Sequence, residues 1–176
     1  MLVATWNVNS LNARMPRVEE WLTEVEPDIV CMQETKLSDE AFPTDAFASL
    51  GYESVHHGEG RWNGVAILSR VGIEAPLCGF HPSLEADPDA RLVSAQCAGV
   101  RIHSVYVPNG REIGHDHYQY KLSWLAKLRR HLEATVDPSD EVIVAGDWNI
   151  APTDADVWAP AAFIGSTHVT PPERAA

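Results

Sequence analysis

At 176 residues the chain is long enough to bury one hydrophobic core, and no linker-like stretch divides it. Its 25 Asp and Glu outweigh 13 Lys and Arg, for a formal net charge of -12. That balance argues against a protein that coats nucleic acid nonspecifically, but leaves room for a local groove that is basic or neutralised by metal.

The first predicted strand spans 2–7, with Leu2-Val3-Ala4-Thr5-Trp6 running into Asn7-Val8-Asn9. Val18, Trp21, Leu22 and Val25 recur at helical spacing and predict a helix from Met15 to Val25. Asp28-Ile29-Val30-Cys31-Met32 predicts a strand over 28–34 that ends in Gln33-Glu34-Thr35. Strands over 52–56, 64–69, 92–97 and 101–107 follow. Tyr118, Leu122, Leu125, Leu128 and Leu132 mark a longer amphipathic helix, its apolar stripe packed on the core and its Lys and Arg on the other face. Glu141-Val142-Ile143-Val144-Ala145 predicts a strand over 141–147, buried on both faces, that delivers Gly146-Asp147-Trp148-Asn149. The mixture predicts an α/β fold of mixed sheets with helices outside.

Near the end, Thr170-Pro171-Pro172-Glu173 has the cap, proline and glutamate of a helix start. Ala176 follows about one turn later, and one isolated turn is not stable. Residues 1–176 therefore read as a single domain cut inside an element; the alternative is a frayed tail. Cys31, Cys78 and Cys97 are widely spaced, odd in number and form no C-x-x-C pair, which disfavours a zinc ribbon or redox dithiol and fits a reducing, cytoplasmic setting. The N-terminus lacks a signal-peptide pattern, and no run approaches the ~20 apolar residues of a membrane span.

Three apolar strands thus end in oxygen-bearing side chains. Converging, they would form a hard-cation site for Mg²⁺ or Mn²⁺, suited to phosphate chemistry. Glu34 is the better candidate ligand, because Cys31-Met32-Gln33 separates it from other acids. Asp147 is a candidate ligand or the group that activates a water. Strand alternation predicts that Asp147 and Asn149 point the same way. Asn7, Asn9 and Asn149 offer amides that hydrogen-bond phosphate without repelling it. Each residue taken singly also reads as a strand-end turn residue. Pro108 and Gly110 make a turn able to present Tyr106, Asn109 and Arg111 on one rim. Arg91 opens a strand and is a further site candidate. His56-His57 and His115-Asp116-His117 are weak metal signals that read as surface or packing residues, and Trp62 is either a stacking platform for DNA or a turn aromatic.

Trp6-Asn7-Val8-Asn9, Gln33-Glu34-Thr35-Lys36, Trp62-Asn63-Gly64-Val65-Ala66, Tyr106-Val107-Pro108-Asn109-Gly110 and Gly146-Asp147-Trp148-Asn149-Ile150-Ala151-Pro152 occur in one order along the chain. In this the chain resembles the exonuclease III class of apurinic/apyrimidinic endonucleases, within the endonuclease–exonuclease–phosphatase superfamily. The resemblance implies a four-layer α/β sandwich of two mixed sheets flanked by helices, here lacking its C-terminal part. It implies Mg²⁺-dependent DNA phosphodiesterase activity in base-excision repair: incision at abasic sites, 3′–5′ exonuclease and 3′-phosphatase action on double-stranded DNA. Glu34 and Asn7 would hold the metal, with Asp147 and Asn149 also candidate ligands. Asp147 would orient or activate water, Asn149 would stabilise the transition state and Tyr106 would contact the phosphate. Asn9, Asn63, Asn109 and Arg111 would line the DNA. Localisation would be cytoplasmic, nucleoid-associated if bacterial.

The chain departs from the family pattern at Asn12, where many relatives carry a basic residue. The pattern's later catalytic Asp and terminal Ser-Asp-His-type segment have no match, and His168 aligns with a different segment. The chain by itself is therefore expected to be poorly active and either aggregation-prone or completed by a partner. Two other readings remain open: a superfamily phosphatase acting on small phosphoesters, and a pseudoenzyme that binds DNA or a partner without cleaving.

Overall fold

A computed structural model describes residues 1–176, which form two compact units. The first comprises residues 1–106 and 135–147, the second residues 107–134 and 148–176.

The first unit holds two four-stranded mixed sheets. One has the order β1-β2-β4-β3, from β1 (Val3–Asn7), β2 (Ile29–Gln33), β3 (Glu53–His57) and β4 (Val65–Ser69). The other has the order β5-β6-β7-β8, from β5 (Glu74–Cys78), β6 (Leu92–Cys97), β7 (Val100–Tyr106) and β8 (Val142–Asp147). The pairs β1–β2 and β7–β8 are parallel, and the other neighbours are antiparallel.

β2 shows how the sequence builds the layers. All five of its residues are buried. Because side chains alternate, Val30 and Met32 join Leu11, Val18 and Leu22 of α1 (Leu11–Val25) and Phe47 of α2 (Thr44–Ser49) in one core. Ile29 and Cys31 face the other way and pack with Val93, Ala95 and Ile102 of the second sheet. A strand covered on both sides must be apolar throughout, as the Ile-Val-Cys-Met run is.

Seven of the eight strands fall where the sequence places them, and four features differ. β5 was not expected, because Pro76, an exposed surface and a register shift between Glu74 and Leu77 hide an edge strand. α1 begins at Leu11 rather than Met15, with Pro16 inside it. Proline there looks like a first-turn residue, but the helix accommodates its missing N–H in the second turn. β8 is half-buried at all six positions rather than buried on both faces, because it pairs with β7 alone. The short helix α2 was also unforeseen.

The second unit contains most of α3 (Asp116–Thr135) and the turn α4 (Pro171–Ala175). Tyr118, Leu125 and Leu128 of α3 are buried, as the stripe predicted, but Lys121 is buried with them rather than lying on the solvated face. The capping box at Thr170 is formed: its Oγ1 accepts from Glu173 N at 3.3 Å, and Glu173 Oε2 accepts from Thr170 N at 3.1 Å. No helix is long and apolar enough to cross a membrane. All three cysteines are free thiols.

Candidate active site

The parallel registers put Asn7 opposite Gln33, just before Glu34, and put Tyr106 opposite Asp147. The first unit thereby gathers Asn7, Glu34, Tyr106 and Asp147 at the C-terminal ends of four strands. Asn7 Nδ2 donates to Glu34 Oε1 and to Asp147 Oδ2, both at 2.8 Å. The Tyr106 hydroxyl donates to Glu34.

Main-chain bonds fix these ends. Val8, Ser10 and Leu11 N–H groups donate to the carbonyls of Gln33, Glu34 and Thr35, and Thr35 and Lys36 donate onward to Gly64 and Asn63. Gly64 is required there: at φ +92°, a Cβ would lie 2.1 Å from Thr35 Oγ1.

Burial pushes the Glu34 carboxyl up, but hydrogen bonds from Asn7, Lys36 and Tyr106 and the Lys36 charge outweigh it and hold the group below its ordinary value. The Tyr106 phenol is pushed up to about 12, first by burial, then by Glu34 and Asp147, with Arg91 opposing. Tyr106 is therefore a proton donor at neutral pH. Tyr106→Phe is expected to raise the Glu34 pKa by removing a donor to the charged form, read as an upward move of its carboxyl ¹³C titration midpoint.

Two further residues complete the cluster. Lys36 Nζ lies 2.9 Å from Glu34 Oε2 and also donates to Asn9 Oδ1. Arg91, a candidate from the sequence, stacks its guanidinium 4.7 Å from the Tyr106 ring centroid and donates from Nε to Asp89 Oδ2 at 2.9 Å. The Lys36 position was legible in Gln33-Glu34-Thr35-Lys36; the aromatic contact of Arg91 was not.

The donor chemistry fits a hard divalent cation. Two carboxylates share one amide nitrogen and present only oxygen donors. No group of three His, Cys, Asp or Glu side chains converges anywhere in the chain, so a metal here would rest on two carboxylates, amide oxygen and water. Asn7 turns its NH₂ toward the carboxylates while its Oδ1 accepts from Asn9 N at 3.0 Å. It thus positions both carboxylates and keeps one lone pair for a cation.

Asn9 is exposed, and the Asn63 Nδ2 donates to Glu59. His56 is a packing residue: it bonds Thr35 Oγ1 at 2.8 Å, lies 2.7 Å from Asp39 and stacks on Phe42 at 4.2 Å, whereas His115 lies exposed at the surface. Trp62 is 66% exposed.

In the second unit, Asn149 follows β8 at φ +48°, so strand alternation does not extend from Asp147 to Asn149. Its Nδ2 donates to Val107 O at 2.9 Å, and its Oδ1 lies 3.4 Å from Asn109 Nδ2. Asn109 Oδ1 accepts from Arg111 N at 3.1 Å, the side-chain turn that Pro108 and Gly110 announced. Lys121 and Glu173 form an ion pair with neither side chain exposed. Burial raises Glu173, but Lys121 and the His168 and Thr170 donors more than compensate and hold it below its usual value. Its stabilising contribution is complete above the unfolded pKa near 4.5 and is lost as pH falls through the folded value. Glu173→Gln is expected to flatten the acid-side fall in stability below about pH 4.5, measured by urea unfolding at stepped pH.

Strand-end carboxylates bridged by an amide, at the ends of two mixed sheets, define a class of site that offers oxygen ligands to a hard cation. Residues 4–174 match the Endonuclease/Exonuclease/phosphatase family, and the chain belongs to it. Exodeoxyribonuclease III of Haemophilus influenzae is 32% identical over 89% of the chain, which spans 60% of that relative. The structure of an AP endonuclease from Archaeoglobus fulgidus superposes over 99% of the chain and 68% of its own length, at 39% identity and a TM-score of 0.93. A Neisseria 3′ phosphatase bound to product DNA hairpin superposes over the same shares at 36% identity and a TM-score of 0.95.

Proposed function

We propose that this chain carries the core of a Mg²⁺-dependent DNA phosphodiesterase of base-excision repair, with Mn²⁺ an alternative metal. Its proposed substrate is double-stranded DNA bearing abasic sites or blocked 3′ ends. The observation that carries the reading is the Asn7 amide held 2.8 Å from both Glu34 and Asp147. Relatives named as an exodeoxyribonuclease, an AP endonuclease and a 3′ phosphatase support it.

A bound divalent cation would supply Lewis acidity at a phosphate oxygen and would offset an acidic protein's repulsion of DNA. Glu34 and Asn7 would hold it. Asp147, fixed by Asn7, would accept the proton of the attacking water or orient that water. Tyr106 keeps its proton at neutral pH and would donate it as a hydrogen bond to the phosphate. Asn149 would donate to the transition-state oxygens, and Asn9, Asn63, Asn109 and Arg111 would line the DNA path.

Substrate class is tested by offering the chain abasic duplex, a 3′-phosphate hairpin and p-nitrophenyl phosphate in Mg²⁺. Selective turnover of the DNA substrates is expected. Hydrolysis of the small ester with the DNA left intact would move the assignment to a small-molecule phosphatase.

A further inference from the structure

A lysine with no solvent exposure cannot meet a DNA phosphate, yet the Lys121 Nζ is surrounded by polar groups. Its Nζ donates to Glu173, to Asn149 O at 2.6 Å and to Asn109 O at 3.4 Å. Those carbonyls belong to the two asparagines whose side chains the proposed reaction uses. His168 holds the same segment from its other side: its Nδ1, protonated in that tautomer, donates to Asn149 O, and its carbonyl accepts from Ala151 N at 2.8 Å. His168 is fixed in turn by its N–H, which donates to Glu173 Oε1 at 2.9 Å. One buried carboxylate therefore ties together α3, the segment before α4 and, through Lys121, both asparagine turns.

We infer that Lys121, with Glu173 and His168 behind it, is a positioning residue: a buried clasp that sets the backbone of Asn149 and Asn109 so that their side-chain amides are aimed before substrate arrives. Two features make it more than a structural ion pair. Asn149 takes a left-handed backbone, φ +48°, a region asparagine tolerates but does not require, and its carbonyl is the one that Lys121 and His168 both hold. Gly110, at φ +88°, lets the Asn109 turn close on Lys121, since a Cβ there would stand 3.1 Å from Lys121 Cδ. A packed hydrophobic pair could replace the stability of a buried ion pair, but could not donate to two carbonyls.

That difference is the test, and it rests on the proposed nuclease reading only in its kinetic arm. Lys121→Met leaves a buried carboxylate unpaired and is expected to lower the urea midpoint. Lys121→Met combined with Glu173→Gln removes both charges and keeps an acceptor for the Thr170 and His168 N–H groups, so the midpoint should recover toward that of the parent. Side-chain amide resonances of Asn149 and Asn109 in ¹⁵N-labelled protein are then read without substrate. The clasp predicts that they stay shifted from the parent positions in the recovered double variant. In the kinetic arm, single-turnover incision of abasic duplex should stay depressed by about 10²-fold, with the concentration for half-saturation little changed. Parent-like resonances in the double variant would overturn the inference and leave Lys121 a stabilising residue only. If the parent shows no incision, the resonances still decide the clasp, while the nuclease reading fails separately.

Discussion

Gly146→Ala is expected to unfold the end of β8. Gly146 pairs with Val105 in the parallel ladder, at φ +156°, and a Cβ there would stand 1.9 Å from the Val105 carbonyl oxygen. The obstacle is main chain, so no rotamer change relieves it. The backbone strain alone is worth roughly 1–3 kcal/mol. Breaking the Val105–Gly146 and Tyr106–Asp147 register adds to it, for a total near 4 kcal/mol. Because Asp147 is the next residue, the Asn7–Asp147 bond should be lost with the strand end. Urea unfolding reads the stability loss. Loss of the β8 amide signals, with those of β2 retained, would locate it; an alanine variant within about 0.5 kcal/mol of the parent would contradict this packing.

Asn7→Ala is expected to be nearly as costly to activity while sparing the fold. Asn7 donates one N–H to each of the two carboxylates, and without it the amide bridge between Glu34 and Asp147 is gone. The Glu34 pKa should rise, since a hydrogen bond to its charged form is gone. Its carboxylate and the water partner Asp147 would no longer be held in one geometry, and misplacement of that kind costs about 10²-fold in rate. Circular dichroism should change little, because Asn7 lies at the open end of β1. Retained incision at the parental rate would remove Asn7 from the site.

The sequence carried the frame of this site and missed its fine geometry, for definable reasons. Apolar runs that stop abruptly at Asn7, Glu34 and Asp147 marked the strand ends, because burial on one or both faces demands such runs and polar residues end them. Convergence of those ends depended on two parallel pairings and on the packing of one sheet on the other, which no local pattern encodes. Burial of Lys121 was invisible because its partner, Glu173, lies 52 residues away and read only as a capping residue. Backbone conformation was hidden as well. Asn9, Glu34, Lys36, Asn63, Arg111 and Asn149 all adopt positive φ. Asparagine tolerates that region, but nothing in the sequence marked these three for it, and at Asn149 strand alternation pointed the other way; glutamate, lysine and arginine give no such signal. Such a concentration of left-handed residues at candidate site positions is the kind of stored strain that a functional site retains.

The most direct measurement is incision of a labelled duplex with one abasic-site analogue, under enzyme excess, in Mg²⁺ and in chelator, by this chain and by Glu34→Ala. The account predicts slow, Mg²⁺-dependent cleavage that falls by at least ~10²-fold in the variant. Equal cleavage in chelator, cleavage unchanged by Glu34→Ala, or no cleavage by demonstrably folded protein would contradict it.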